Sequence, residues 1–209
     1  MDLSVLLSFI GLSVLLTLTP GPDILFVITQ SIARNHRDGM AVALGLCTGL
    51  LVHTTAAALG VSAILHQSAV AFQLLKVAGA IYLLWLAWQA WKGSRYASFG
   101  ETTTPIQSSF FALYRRGVWM NLLNPKVSLF FLAFLPQFIT STGAPVAVQM
   151  TFLGLLFLVQ ALVVFLTVAR VAQSLGKILF RNPAWAKPIE RIKAVIYLWL
   201  GVRVALMER

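Results

Sequence analysis

The sequence predicts an all-α integral membrane protein with six transmembrane helices in two inverted three-helix repeats. Three observations support this class. Apolar residues make up 59% of the 209 residues and charged residues only 11%, whereas soluble domains are about 45–50% apolar. Six apolar runs mostly match the roughly 17–25 residues that cross a bilayer. Prolines interrupt the first and the fourth of these predicted helices.

The predicted spans follow one another with short loops between most of them. In chain order they are Leu3–Leu18, Met40–Leu65, Ala69–Trp91, Val118–Ile139, Val146–Ala169 and Ala194–Leu206. Lys and Arg concentrate in the loops after the first, third and fifth spans, and the loops at 66–68 and 140–144 contain neither. Because basic loops tend to stay in the cytoplasm, both termini are predicted to lie outside.

The charge and the cysteine content exclude several classes of protein. The basic residues behind the net charge of +10 lie between apolar runs rather than on a soluble domain, so nucleic acid is not an expected partner. The one cysteine, Cys47, lies inside the second span and offers neither a disulfide nor a metal site. No phosphate-binding loop or hydrolase motif occurs, so we expect no cofactor and no enzymatic activity, and uphill transport would need an ion gradient.

The chain, 1–209, is predicted to be a single membrane domain with two repeats, 1–100 and 106–209, joined by a cytoplasmic link near 92–107. The third run contains "AIYLLWLAWQA" and the sixth "VIYLWLGVRVA", while the first leads into "TPGPD" and the fourth contains "NLLNPK". Because each half has three spans, two halves with the same fold must enter the membrane in opposite directions. Gly/Pro-interrupted segments at matching positions of such repeats indicate a transporter's binding site.

The two breaks supply the backbone and amide candidates for that site. A proline inside a helix removes a backbone donor, and broken backbone is tolerated in a membrane only where protein or a water-filled cavity covers it. The break prolines are therefore expected to face the bundle interior, although Pro20 lies about 25 Å along a helix that begins at Leu3, nearer its inner end than its middle. The candidates for substrate binding are Pro20, Gly21, Pro22, Asn121, Asn124 and Pro125.

A charged residue follows each break, Asp23 after the first and Lys126 after the second. A charge near the bilayer centre costs about 2.5–3.5 kcal/mol, so such residues are rare and usually paired or functional. We expect the two to lie near each other beside a central cavity. There Asp23 holds a substrate ammonium or a transported proton, and Lys126 holds a substrate carboxylate or compensates Asp23. The alternative is a purely structural ion pair.

Other polar residues inside the predicted spans are weaker candidates. His53, in the second span, is a candidate for proton coupling or for a hydrogen bond to substrate, with a neutral imidazole bonded between helices as the alternative. Gln160, in the fifth span, contacts substrate or joins two helices. Gly45 and Gly49 have the small-xxx-small spacing of a helix-packing face.

Four segments resemble the LysE/RhtB family of bacterial amino-acid exporters. They are "TPGPDILF", "GLCTGLLVH", "AGAIYLLWLAWQAW" and "NLLNPKVSLFFLAFLPQF". The resemblance covers most of the chain in order and spacing. It implies a small multi-pass protein of the bacterial inner membrane that exports amino acids driven by the proton-motive force. The family's proline motifs correspond here to 20–22 and to 124–126.

The members that export homoserine, threonine and other neutral amino acids look most similar. Asp23, which follows the first break, is the one acid expected within the membrane, and one carboxylate with one ammonium matches a neutral zwitterion. The expected partners are an amino acid of the threonine, homoserine or leucine type, protons and the lipid bilayer, with a homodimer as an open option. The alternatives are an exporter of lysine or arginine, a non-transporting membrane subunit and a membrane enzyme.

Overall fold

The computed structural model describes residues 2–61, 109–140 and 143–179 continuously, and single positions between 70 and 92 and between 191 and 202. All regular structure in these residues is helical, which agrees with the predicted all-α class. We label the helices of the continuous segments in chain order. They are α1 Leu3–Leu18, α2 Pro22–Ala33, α3 His36–Ala56 with a π turn at Ala57–Val61, α4 Phe110–Leu122, α5 Pro125–Leu129 and α6 Val146–Leu179. After α5 the chain continues as a π turn, Phe130–Phe134, and a 3-10 turn, Leu135–Phe138.

Both proline breaks lie between two helices that together make one bent segment. The axes of α1 and α2 differ by 58°, and those of α4 and the segment Pro125–Phe138 differ by 48°. Pro22 and Pro125 each occupy the first turn of the helix after the break, where the missing N–H removes no hydrogen bond within that new helix. The predicted proline-broken first and fourth helices are therefore present as bent pairs.

The first predicted span, Leu3–Leu18, has the bounds of α1. Beyond the break α2 adds 12 residues, so Pro20 lies between two helices, two residues after the end of α1. Hydropathy did not indicate α2, because this helix carries Asp23, Gln30 and Ser31, which are all buried. The helix that contains the fifth predicted span, α6, continues past Ala169 to Leu179.

Helix α3 packs against both α4 and α6, and α2 packs against α3 and α6. Helices α3 and α4 approach closely because each has a glycine, Gly45 and Gly117, where they meet. A Cβ atom added at Gly45 would collide with the carbonyl of Tyr114, and one at Gly117 would lie 2.5 Å from the carbonyl of Val42. The packing role predicted for Gly45 is the one the structure shows.

Within the described ranges, two single helices are long and apolar enough to cross a membrane, and each bent pair is a further candidate, which makes four. The predicted third and sixth spans, Ala69–Trp91 and Ala194–Leu206, lie mostly outside the described residues, as does the link at 92–107. Their described positions are helical. The six-span count and the inverted repeat stay predictions.

Candidate functional site

Each break leaves backbone carbonyls without their helical donors, and a side chain from the opposite half of the chain donates a hydrogen bond at each break. In an α-helix the carbonyl of residue i accepts from the N–H of residue i+4. Pro20 has no N–H, so Leu16 loses this donor, and Lys126 Nζ donates instead to the carbonyls of Leu16 at 3.2 Å and Thr19 at 3.3 Å. Lys126 therefore caps the carboxyl end of α1.

The second break repeats this arrangement. Pro125 deprives Asn121 of its helical donor, and His53 Nε2 lies 3.1 Å from the Asn121 carbonyl. Because a carbonyl only accepts, the imidazole must donate from Nε2. The Asn124 amide also donates to this carbonyl, at 3.0 Å. His53, which belongs to α3, thus caps the carboxyl end of α4.

Between the breaks lies a small cavity of about 10 Å³, room for about one water molecule. It is lined by Leu16, Thr17, Asp23, Leu50, Asn121, Lys126, Val127, Phe157, Ala161 and Phe165. An amino acid does not fit this volume, so binding one requires the surrounding helices to move apart. Asp23 and Lys126, placed together by the sequence argument, do line this one cavity.

Both charges are buried, with Asp23 3% and Lys126 6% exposed. Asp23 lies in the first turn of α2, and the positive end of a helix dipole stabilises a carboxylate there. Lys126 Nζ lies at the negative, carboxyl end of α1. Nζ is 3.3 Å from the position that a Cβ of Gly21 would take, so the glycine leaves room for the ammonium group.

Several polar atoms around the cavity lack hydrogen bonds. The amides of Asn124 and Asn121 face the carboxyl of Asp23, which also interacts electrostatically with Lys126. Among the described residues, however, no partner meets hydrogen-bond geometry at Asp23 Oδ1, Asn121 Oδ1 or Asn124 Nδ2. An unpaired buried polar group costs about 1–3 kcal/mol. Water or a polar ligand at this cavity would supply the missing partners.

The remaining predicted residues contact the cavity indirectly. Gln160 Nε2 donates to Thr17 Oγ1 at 3.0 Å, and Thr17 lines the cavity. His53 is not part of the lining and reaches the site through the backbone of Asn121. Asn124 caps α5, since its side-chain Oδ1 accepts from the backbone N–H of Lys126 at 3.0 Å.

The expectation that all the break prolines face the interior was wrong. Pro22 and Pro125 are exposed, and Pro20 is partly buried. Successive residues of an α-helix are turned by about 100°. Burying Asp23 and Lys126, which directly follow the two first-turn prolines, therefore turns those rings away from the bundle. Thr19 and Gly21 are the buried positions of the first break.

Sequence patterns did not reveal the apolar part of the lining or two polar residues, Thr17, which lines the cavity, and Gln30. Phe157, Ala161 and Phe165 share one face of α6 at i, i+4 and i+8, a spacing that any packed helix shows. Gln30, on α2, is 0% exposed and both of its amide atoms lack a partner among the described residues. Gln30 follows Asp23 by seven residues, which is about two helical turns. This spacing was the sequence signal that Gln30 lies on the same buried face as Asp23. The described part of the chain contains no cluster of three or more metal-ligating side chains.

Known proteins resemble this chain along nearly its full length. The model of the LysE type translocator family matches residues 12–208. The homoserine/homoserine lactone efflux protein of Salmonella typhimurium is 33% identical over 183 residues, which are 88% of this chain and 84% of that protein. The leucine efflux protein of the same organism is 31% identical over 131 residues, 63% of this chain and 61% of that protein.

A more distant relative covers more of the chain. The uncharacterized membrane protein YrhP of Bacillus subtilis is 25% identical over 208 residues, 96% of this chain and 98% of that protein. No solved structure shows a significant match. The family match over residues 12–208, together with bent helix pairs at the two proline motifs, identifies the chain as a member of the LysE type translocator family.

Proposed function

We propose that this chain is a secondary transporter that exports small neutral amino acids, of the threonine, homoserine or leucine type, driven by the proton-motive force. The observation that carries the proposal is the pair of opposite buried charges, Asp23 and Lys126, on one cavity between two broken helices. An amino-acid zwitterion has one ammonium and one carboxylate, which these two groups complement. The efflux proteins among its relatives support the same substrate class.

The ammonium group of the substrate binds on the acceptor side of the cavity. Asp23 Oδ1 and Asn121 Oδ1 are acceptors without partners among the described residues, and both residues line the cavity. Gln160 Oε1 is a third such acceptor, next to the cavity through Thr17. A protonated amine has three N–H donors, which matches this number.

The carboxylate of the substrate binds Lys126. In the structure, the ammonium group of Lys126 donates to the carbonyls of Leu16 and Thr19. A substrate carboxylate is a stronger acceptor than a carbonyl, because hydrogen bonds between ionised groups are about twice as strong as neutral ones. Substrate therefore draws Lys126 from the end of α1 and loosens the first break, which opens the cavity.

Asp23 also carries the transported proton, because one carboxylate cannot hold a proton and a substrate ammonium at once. Protonation from outside releases the substrate, and loss of the proton to the cytoplasm restores the site. His53 is the second proton-coupling group, in contact with the site through Asn121. Pro20, Gly21, Pro22, Asn124 and Pro125 contribute by shaping the two breaks.

An exporter of lysine or arginine is the second candidate. The lining of the described cavity has a single carboxylate, Asp23, and a substrate with two cationic groups would leave one of them unpaired in a buried site. The described lining therefore favours a neutral substrate. An enzyme would be expected to cluster His, Asp or Glu residues, and the three histidines are scattered along the sequence. A non-transporting subunit would not need two opposite charges at a cavity between broken helices.

The test is efflux from cells loaded with radiolabelled leucine, homoserine, threonine or lysine, with and without an uncoupler. We expect export of neutral amino acids that the uncoupler abolishes. Asp23→Asn should reach the membrane in normal amount and lose uncoupler-sensitive export. Asp38→Asn is the matched control, since Asp38 pairs with Arg34 at 3.1 Å and is not in the cavity lining. Normal export by Asp23→Asn, or export of lysine alone, contradicts the proposal.

We further propose a location in the bacterial cytoplasmic membrane, with six spans in two inverted repeats, 1–100 and 106–209, and both termini outside. The support is the correspondence between the breaks, where an exposed proline precedes a buried charge in each half. A cysteine at Asp2 in a Cys47→Ala background should react with an impermeant maleimide in intact cells, and one at Arg37 only after permeabilisation. The reverse pattern refutes the orientation. Cross-linking of the same cysteines tests for a homodimer.

A further inference from the structure

Helix α6 contributes only apolar groups to the cavity. Phe157, Ala161 and Phe165 line it and are 3%, 0% and 5% exposed. They follow one another at intervals of four, so they lie above one another on one face of the helix. Because the methyl group of Ala161 is much smaller than the phenyl rings of Phe157 and Phe165 on either side, this face has a notch at Ala161.

All polar groups of the lining come from other helices. Thr17 belongs to α1, Asp23 to α2, Asn121 to α4 and Lys126 to α5. The ionic groups of a bound zwitterion are therefore held mainly by the broken helices, with Gln160 next to the cavity through Thr17, while its side chain is left to the apolar part of the wall. That part also includes Leu50 of α3.

We infer that the face of α6 formed by Phe157, Ala161 and Phe165 is the subsite for an aliphatic substrate side chain, and that Ala161 determines how large that side chain can be. The inference rests on the proposed transport of neutral amino acids and deepens it. Each CH₂ group buried on such a surface strengthens binding roughly fourfold. A larger residue at position 161 fills the notch, and the longest substrates lose most.

Uptake into everted membrane vesicles, which corresponds to export from the cell, provides the test. The probes are radiolabelled alanine and leucine, each measured as an initial rate under a proton gradient. The ratio of the leucine rate to the alanine rate is the readout, because it does not depend on how much protein the vesicles contain. Ala161→Leu should lower this ratio at least tenfold, and Ala161→Gly should raise it.

Ala172→Val is the control on the same helix, since Ala172 is buried but not in the cavity lining. Its ratio should equal that of the unchanged protein. If Ala161→Leu does not reach the membrane, Ala161→Gly, which enlarges the notch, still tests the subsite. A ratio within twofold of the unchanged protein in Ala161→Gly and, where it reaches the membrane, in Ala161→Leu overturns the inference while the transport proposal stands. Vesicles of the unchanged protein that take up neither amino acid, and no homoserine or threonine either, overturn both.

Discussion

His53 Nε2 lies 3.1 Å from the backbone carbonyl of Asn121, four residues before Pro125. Lys126 bonds to the carbonyl of Leu16, which lies four residues before Pro20. Each half of the chain thus supplies the donor that a proline removed from the other half. The two breaks are consequently coupled, because movement of one broken helix disturbs the donor that closes the other.

Replacing His53 should destabilise the second break. His53→Leu removes a donor to a carbonyl that has lost its helical partner, which costs about 1 kcal/mol. His53→Gln keeps an N–H donor of similar reach and should retain most of this energy. Free energies of unfolding of the purified protein in detergent measure the difference. Equal values for both variants and the unchanged protein would show that the hydrogen bond does not stabilise the fold.

A double-mutant cycle should reveal the coupling between Asp23 and Lys126. Breaking a buried ion pair by removing one partner costs about 3–5 kcal/mol, since the other charge is left uncompensated. Asp23→Asn and Lys126→Met should each destabilise the protein, and the double variant should cost at least about 1 kcal/mol less than the sum of the two. Unfolding free energies of all four proteins are required. Additive losses would mean that the charges do not interact.

Gly49→Ala should damage the site through Asn121. The added Cβ would lie 2.6 Å from Asn121 Oδ1, so the amide must leave the cavity. We expect lower export and lower stability. Gly11→Ala is the matched control, because a Cβ there meets nothing within 4 Å and alanine favours a helix by about 1 kcal/mol over glycine. Indistinguishable export by the two variants would rule out a role for the Asn121 amide.

Gln30→Met should make the protein more stable. Gln30 is wholly buried with both amide atoms unpartnered among the described residues, so an apolar side chain of similar volume should gain about 1 kcal/mol. Gln149→Met should do the opposite, since Gln149 bonds to Thr140 at 3.0 Å and Ala144 at 2.7 Å. Melting temperatures in detergent compare the two. A lower melting temperature for Gln30→Met would indicate that its amide is bound.

Short sequence patterns were enough to locate the two helix breaks and the charged residues of the site. Proline at a helix start, the burial of a charge next to it and the apolar length of a span each depend on a few neighbouring residues. Hydropathy failed at α2 because its polar residues are buried against other helices, which no local average can register.

The sequence by itself determined that the chain is helical and apolar, that Pro20–Pro22 and Pro125 interrupt two of its helices, and that Asp23 and Lys126 follow these interruptions. Only the tertiary structure decided which freed carbonyl each donor reaches, which prolines are exposed and which face of α6 meets the cavity. The physical reason is that a helical period shows that a residue lies on a face, whereas the crossing of distant helices chooses what that face contacts.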